Sequence, residues 1–186
     1  MNQKPKVISI AAVSGGGKTT ITEQLINKLS NSKALYFDDY EFDECPGDIC
    51  KWVDEGANYN EWVLTPLITD VHFLLNNHTE PLNYILLDYP FAYLNNGMRE
   101  YIDFTIYIDT PLDIAMARRI LRDFTESPID DVQNDLINYL SNGRAAYLEM
   151  INTVKTNSDI VIDGSLNLTL IVNQILEEIG KRAHRY

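Results

Sequence analysis

Short apolar runs alternate along the chain with stretches whose apolar residues return every three or four positions. Val7, Ile8, Ile10 and Val13 form a β-prone run of the kind a buried parallel strand requires. A helical pattern over about 20–30 follows, and KALYF at 33–37 reads as a second strand. Loop-like sequence then continues to about residue 59, ahead of a helix predicted over about 61–76 with Pro66 near its start. YILL at 84–87 and FTIYI at 104–108 predict the third and fourth strands. Pro111 suits the opening of the next helix. Two more helical stretches, about 129–140 and 143–153, precede a fifth strand at 160–162 and a terminal helix over about 167–181. No internal repeat, low-complexity tract or linker divides the chain. The pattern therefore predicts a single α/β domain over 1–186, with a five-stranded parallel sheet between two layers of helices. Ligands of such sheets bind beyond the carboxyl ends of the strands. Asp38, Asp88, Asp109 and Asp163 each close a strand and should face that edge.

The first strand runs into AVSGGGKTT, which predicts what that edge holds. Ser14, Gly15, Gly16 and Gly17 can turn successive backbone N–H groups around an anion, because glycine reaches dihedrals costly for other residues. Lys18 places a cation beside the outer phosphates of a nucleoside triphosphate, and the Thr19 hydroxyl suits Mg²⁺. Thr20 opens the helix whose positive dipole end points at the same place. The pattern departs from G-x-x-x-x-G-K-[ST] in one respect: Ala12 stands at the first glycine, which a negative φ would permit. A glycine-rich turn that binds nothing would not need strand, glycines, GKT and amphipathic helix in this order. The expected cofactors are ATP and Mg²⁺, on a P-loop NTPase fold.

Composition narrows the partners. With 45% hydrophobic and 23% charged residues the chain is ordinary globular material. Its net charge of −12 argues against nucleic acid and against an anionic membrane surface, both of which demand Lys and Arg. No apolar stretch is long enough to span a bilayer and no leader-like segment opens the sequence, so a cytoplasmic location is expected. Cys45 and Cys50, in CPGDIC, fit neither a C-x-x-C redox pair nor a zinc site; reduced loop thiols and a regulatory disulfide both remain open. Nothing sets the oligomeric state, a homodimer included.

Phosphoryl transfer needs phosphates held, Mg²⁺ placed, developing charge neutralised and the acceptor aligned. Asp88, directly after the third strand, is the natural metal-side carboxylate, unless it merely caps a turn. Asp38 and Asp39 are candidate general bases for a hydroxyl acceptor, or else solvated turn residues. Arg118, Arg119 and Arg122 fall on nearly one helical face, where they would either contact phosphate or pair with Asp123 and Glu126. Asn58, Tyr59 and Trp62 in ANYNEW could stack on a flat acceptor, or pack a helix onto the sheet. Arg99 is the only arginine before Arg118 and a candidate substrate contact.

Together these pieces resemble the uridine kinase and phosphoribulokinase group of P-loop kinases, which also includes nicotinamide riboside kinases. ISIAAVSGGGKTT resembles their first strand and phosphate loop, and LLDYPFAY their third strand with its closing acid, here Asp88. FDDYEF is similar to their D-[DS]-F-[FY] segment, which implies Asp38 as catalytic base. DFTIYIDTPLDIAMARRILRD resembles their strand, D-T and R-R-x-x-R-D helix, and RAAYLEMINTVKTNSDIVIDG their closing helix and last strand. The resemblance implies transfer of the ATP γ-phosphate to a hydroxyl of a small molecule, often a nucleoside. It also implies a small helical lid over about 118–130, with Arg118 and Arg122 contacting phosphate. Where uridine kinases continue with an R-G-R-type segment, this chain has the acidic FTESPIDD.

Two other functions share parts of this pattern. A nucleoside monophosphate kinase needs several arginines for the acceptor phosphate, and outside the lid and C-terminal region only Arg99 is available. A regulatory ATP-binding module would bind nucleotide without an acceptor. A GTPase switch is disfavoured because Asn27-Lys28-Leu29-Ser30 lacks the aspartate of N-K-x-D and Phe91 replaces the glycine of D-x-x-G.

Overall fold

A computed structural model describes residues 4–77 and 81–183. Five strands, β1 (Lys6–Ala11), β2 (Ser32–Tyr36), β3 (Tyr84–Asp88), β4 (Phe104–Asp109) and β5 (Ile160–Asp163), form one sheet. Their order is β2-β3-β1-β4-β5 and every neighbouring pair is parallel. The predicted strands thus stand at their predicted places.

Side-chain alternation divides the core in two. Val7 and Ala11 of β1, with Ile85 and Leu87 of β3, pack against one helical layer. That layer contains α2 (Ile49–Asp54), α3 (Thr65–Asn76) and α4 (Asn96–Arg99). Ile8 and Ile10 of β1, with Ile106 and Ile108 of β4, face the opposite way. They meet Ile21 and Leu25 of α1 (Lys18–Ile26) and Ile171, Val172, Ile175 and Ile179 of α8 (Leu168–Ala183). Ile8 and Ile10 are fully buried, each contributing about 1.5–3 kcal/mol of apolar burial. Burial on both faces explains why β1 reads as a near-continuous apolar run, broken by the buried Ser9, rather than an alternating one.

Several helices differ from the sequence expectation. α3 begins at Thr65, placing Pro66 in its first turn, where the missing N–H costs no helical hydrogen bond. α2 lies where loop was expected; six residues are too few to show periodicity, and Asp48 caps it by accepting from the Lys51 N–H. The two helices predicted over 129–153 are nearly one rod. α6 (Ile129–Asn138) and α7 (Arg144–Glu149) are joined by a π-helical segment, Tyr139–Gly143, and a second, Met150–Val154, follows α7. α5 (Leu112–Asp123) leads into this rod from β4. Among the described residues no helix is long and apolar enough to cross a membrane.

Candidate active site

The carboxyl ends of the strands carry the phosphate loop. β1 stops at Ala11, and the chain turns through Val13–Gly17 before α1 starts at Lys18. Gly15 and Gly17 adopt φ of 75° and 96°, conformations that side chains disfavour. At Gly15 there is also no room: a Cβ would drive into the Ala115 carbonyl oxygen on α5. The Ala12 backbone is ordinary, and its methyl occupies the space a side chain at position 16 would need. Thr110, one residue beyond β4, braces the loop from below by donating to the Gly16 carbonyl at 2.9 Å.

Asp88 sits beside β1, its Cα paired with that of Ile10, and reaches under the start of α1. The Thr19 hydroxyl donates to it at 2.6 Å, and Lys18 Nζ lies 3.9 Å away. Burial raises the Asp88 pKa; Lys18 and the Thr19 hydrogen bond pull it back, while Asp38 and Asp39 raise it further. A buried carboxylate beside a lysine and a hydroxyl, at a phosphate-binding turn, presents hard oxygen donors of the kind Mg²⁺ takes.

The other strand-end acids divide by task. Asp38 and Asp39 occupy the 3₁₀ turn Phe37–Asp39 directly after β2. Asp38 lines a cavity of about 240 Å³ that also contains Ser14 and Lys18, whereas Asp39 is not among its lining residues. Asp109 pairs with Lys155 at 2.5 Å, and Asp163 accepts from the backbone N–H and hydroxyl of Ser165. Those two acids are committed to structure.

The cavity is aromatic. Phe37, Trp52, Tyr59, Trp62 and Phe91 wall it, in mutual ring contacts of 5.0–6.3 Å between centroids. Tyr59 and Trp62 therefore serve both candidate roles, lining the cavity while packing in the core. Asn58 instead holds the turn, its side chain accepting from the Asn60 N–H and its carbonyl from the Trp52 indole. Ala57 and Ala92, next to these walls, hold φ of 47° and 48°. Such left-handed alanines cost roughly 1–2 kcal/mol each and persist where the surroundings fix them. Glu149 of α7 completes the wall, accepting from Tyr59 Oη at 3.3 Å and Thr153 Oγ1 at 2.6 Å. Burial first, and then the Glu149 charge, push the Tyr59 pKa upward. Sequence reading missed both Trp52 and Glu149. An Asp48 cap three residues before Lys51 was the available signal for the first. Nothing local marks the second.

The arginines separate in space. The Arg118 guanidinium approaches Gly17, 3.9 Å from where a Cβ would stand. Arg119 is bound to both oxygens of Asp135 on α6, with its Nε buried and unpartnered. Arg122 pairs with its exposed neighbour Asp123 at 2.6 Å. Arg99 is exposed at the end of α4, four residues before Asp103, which binds β1 at the sheet's opposite edge. Among the described residues, neither it nor any other arginine lines the aromatic cavity.

Comparison with known proteins shows which family and fold the chain shares. A model of the family described as "Phosphoribulokinase / Uridine kinase family" matches residues 75–169. The uridine kinase of Bacillus pumilus is 29% identical, the alignment covering 98% of this chain and 100% of that protein. That of Limosilactobacillus reuteri is 23% identical over 98% of this chain and 96% of its own. Among solved structures, a "Possible Uridine Kinase" from Bacillus stearothermophilus superposes with a TM-score of 0.57 at 16% identity, covering 88% of this chain and 91% of that one. A gluconokinase from Sinorhizobium meliloti gives 0.55 at 14%, covering 98% and 96%. Those two likenesses show the fold.

Proposed function

Because the chain belongs to the phosphoribulokinase and uridine kinase family and is a small-molecule kinase, we propose that it moves the ATP γ-phosphate to a hydroxyl of a nucleoside or related metabolite held in the aromatic cavity. One observation carries this reading: Lys18, from the phosphate loop, and Asp38, from the strand-end turn, are walls of the same cavity. A cation for the transferred group and a base for the acceptor thus meet at one place, as phosphoryl transfer requires.

Each residue then has a task. Backbone N–H groups of Gly15–Thr19 and the α1 dipole cradle the phosphates. Thr19 and Asp88 would hold Mg²⁺, which would shield triphosphate charge. Asp38 accepts the acceptor's proton as its oxygen bonds to the γ-phosphorus, and the bond to the ADP oxygen breaks. Lys18 and Arg118 offset charge on the moving group. Aromatic walls position the acceptor and keep water from competing for the phosphoryl group. Of the lid expected over 118–130, the arginine-bearing turn already stands against the loop, and the acidic remainder leads into α6.

Incubation with Mg-ATP and a panel of nucleosides and sugars, following ADP, tests the proposal. ADP should form only when an acceptor is present. Slow hydrolysis indifferent to every alcohol would instead favour a nucleotide-binding module.

A further inference from the structure

α6 lies on the surface with its apolar side uncovered. None of its residues is buried. Val132, Asp135 and then Tyr139 are half-buried and form its inner side. Asp135 there binds Arg119, and the Tyr139 ring stands 5.2 Å from that of Tyr147. An outer stripe carries Ile129, Leu136 and Ile137, continued by Leu140 in the π-helical segment. These four are 67%, 37%, 63% and 73% exposed. A surface helix ordinarily turns such a stripe, spaced i, i+7, i+8 and i+11, towards a core. Here the core lies on another side.

Charge is distributed unevenly along the same rod. Asp130 and Asp131 stand at the amino end of α6, and Arg144 opens α7 at the other. All three are exposed, and among the described residues none has an ion-pair partner. Ile137 is midway between Asp130 and Arg144 in the sequence. A second copy laid antiparallel about Ile137 therefore brings its own Arg144 to Asp130 and its own Asp130 to Arg144, with the two stripes between them. A parallel copy would set acid against acid. With a net charge of −12 on each chain, two copies can associate only through a face where opposite charges cross in this way. Area fits as well. A standard interface buries about 800 Å² per partner, a little over half of it apolar. The four side chains expose on the order of 400 Å², close to that apolar share.

We infer that α6 is a self-association surface: two copies pair their stripes antiparallel about a two-fold axis near Ile137, closed at each end by Asp130 and Arg144. The inference stands apart from the kinase reading. Because α6 runs on into α7, whose Glu149 lines the cavity, the pairing would brace the rod on which that wall stands.

Sedimentation without nucleotide, over about 1–500 µM, tests this. The wild-type protein should pass from monomer to dimer with a Kd of roughly 1–50 µM, as suits an interface of ordinary area. Ile137→Glu should weaken it about tenfold or more by burying a charge at the centre. Since α6 has no buried residue, the folded monomer should survive the change, which far-UV circular dichroism checks. Asp130→Arg and Arg144→Asp should each weaken the dimer about fivefold, because each removes two pairs per dimer. Combined, they should restore it to within about threefold of wild type. At 1.5 Å per residue the two positions stand about 20 Å apart on one rod, so only contact between copies can produce that rescue. A protein monomeric throughout, a dimer indifferent to Ile137→Glu, or a double reversal no tighter than the single changes would each overturn the inference.

Discussion

The two ends of the proposed active site are built in opposite ways. The phosphate end comes from one contiguous segment, Ala12–Thr19, braced by two distant residues, Thr110 and Asp88. The acceptor end is assembled from five separated pieces: the turn after β2, α2, the turn at Tyr59–Trp62, the residues after β3, and α7. Chemistry shared by every phosphoryl transfer can be written into one loop whose geometry backbone amides dictate. Selection of a particular alcohol needs a shape, and a shape needs walls from several directions.

The largest expected effect separates the two ends directly. Lys18→Ala should cost roughly 3–4 kcal/mol or more of transition-state stabilisation and weaken ATP binding. Asp38→Asn should lower kcat by about 10²–10⁴ while leaving ATP affinity near wild type. Nucleotide titration beside steady-state kinetics reads both. Full activity in Asp38→Asn, with loss in Asp39→Asn, would move the base by one residue.

A second test asks whether the loop is as rigid as its packing implies. Gly15→Ala combines a positive φ with a collision against the α5 backbone, and should destabilise the protein by about 2–4 kcal/mol in urea unfolding. The corresponding change at Gly47, where nothing lies within 4 Å, should be almost silent. Smaller still is Tyr59→Phe, which removes one hydrogen bond to Glu149 and leaves the ring: about 1 kcal/mol, appearing in the acceptor KM rather than in ATP affinity.

The smallest shift concerns stability alone. Burial holds the folded-state pKa of Asp88 above the ordinary carboxylate value. Its contribution to ligand-free stability is therefore fully present below that ordinary value and lost as pH rises through the raised one. Asp88→Asn should remove this slope and leave the ligand-free protein no less stable at neutral pH, although turnover is lost. Denaturation at several pH values gives the answer.

The same contrast explains what could be read in advance. The central strands β1, β3 and β4 were legible because burial on both faces writes mostly apolar runs, and the half-exposed edge strands β2 and β5 because each is a short β-prone run closed by an aspartate or its turn. The loop was legible because its residues are adjacent. α2 was not, being too short for a period to show. Glu149 was hidden because π-helical turns on either side of α7 break the 3.6-residue rhythm that would reveal its face. The arginine helix was legible as a face but not as a division of labour. Spacing cannot say that Arg118 turns to the loop, Arg119 to Asp135 and Arg122 to solvent.

The close approach of Gly15 to the Ala115 carbonyl has a further consequence. Because main chain meets main chain there, α5 cannot retreat from the loop without unpacking it, so the Arg118 guanidinium is held beside Gly17, where the proposed phosphates would lie. That anchorage is made by main chain of α5 itself, with Arg119 and Asp135 tying the same helix to α6, and draws on no basic residue of the acidic FTESPIDD segment.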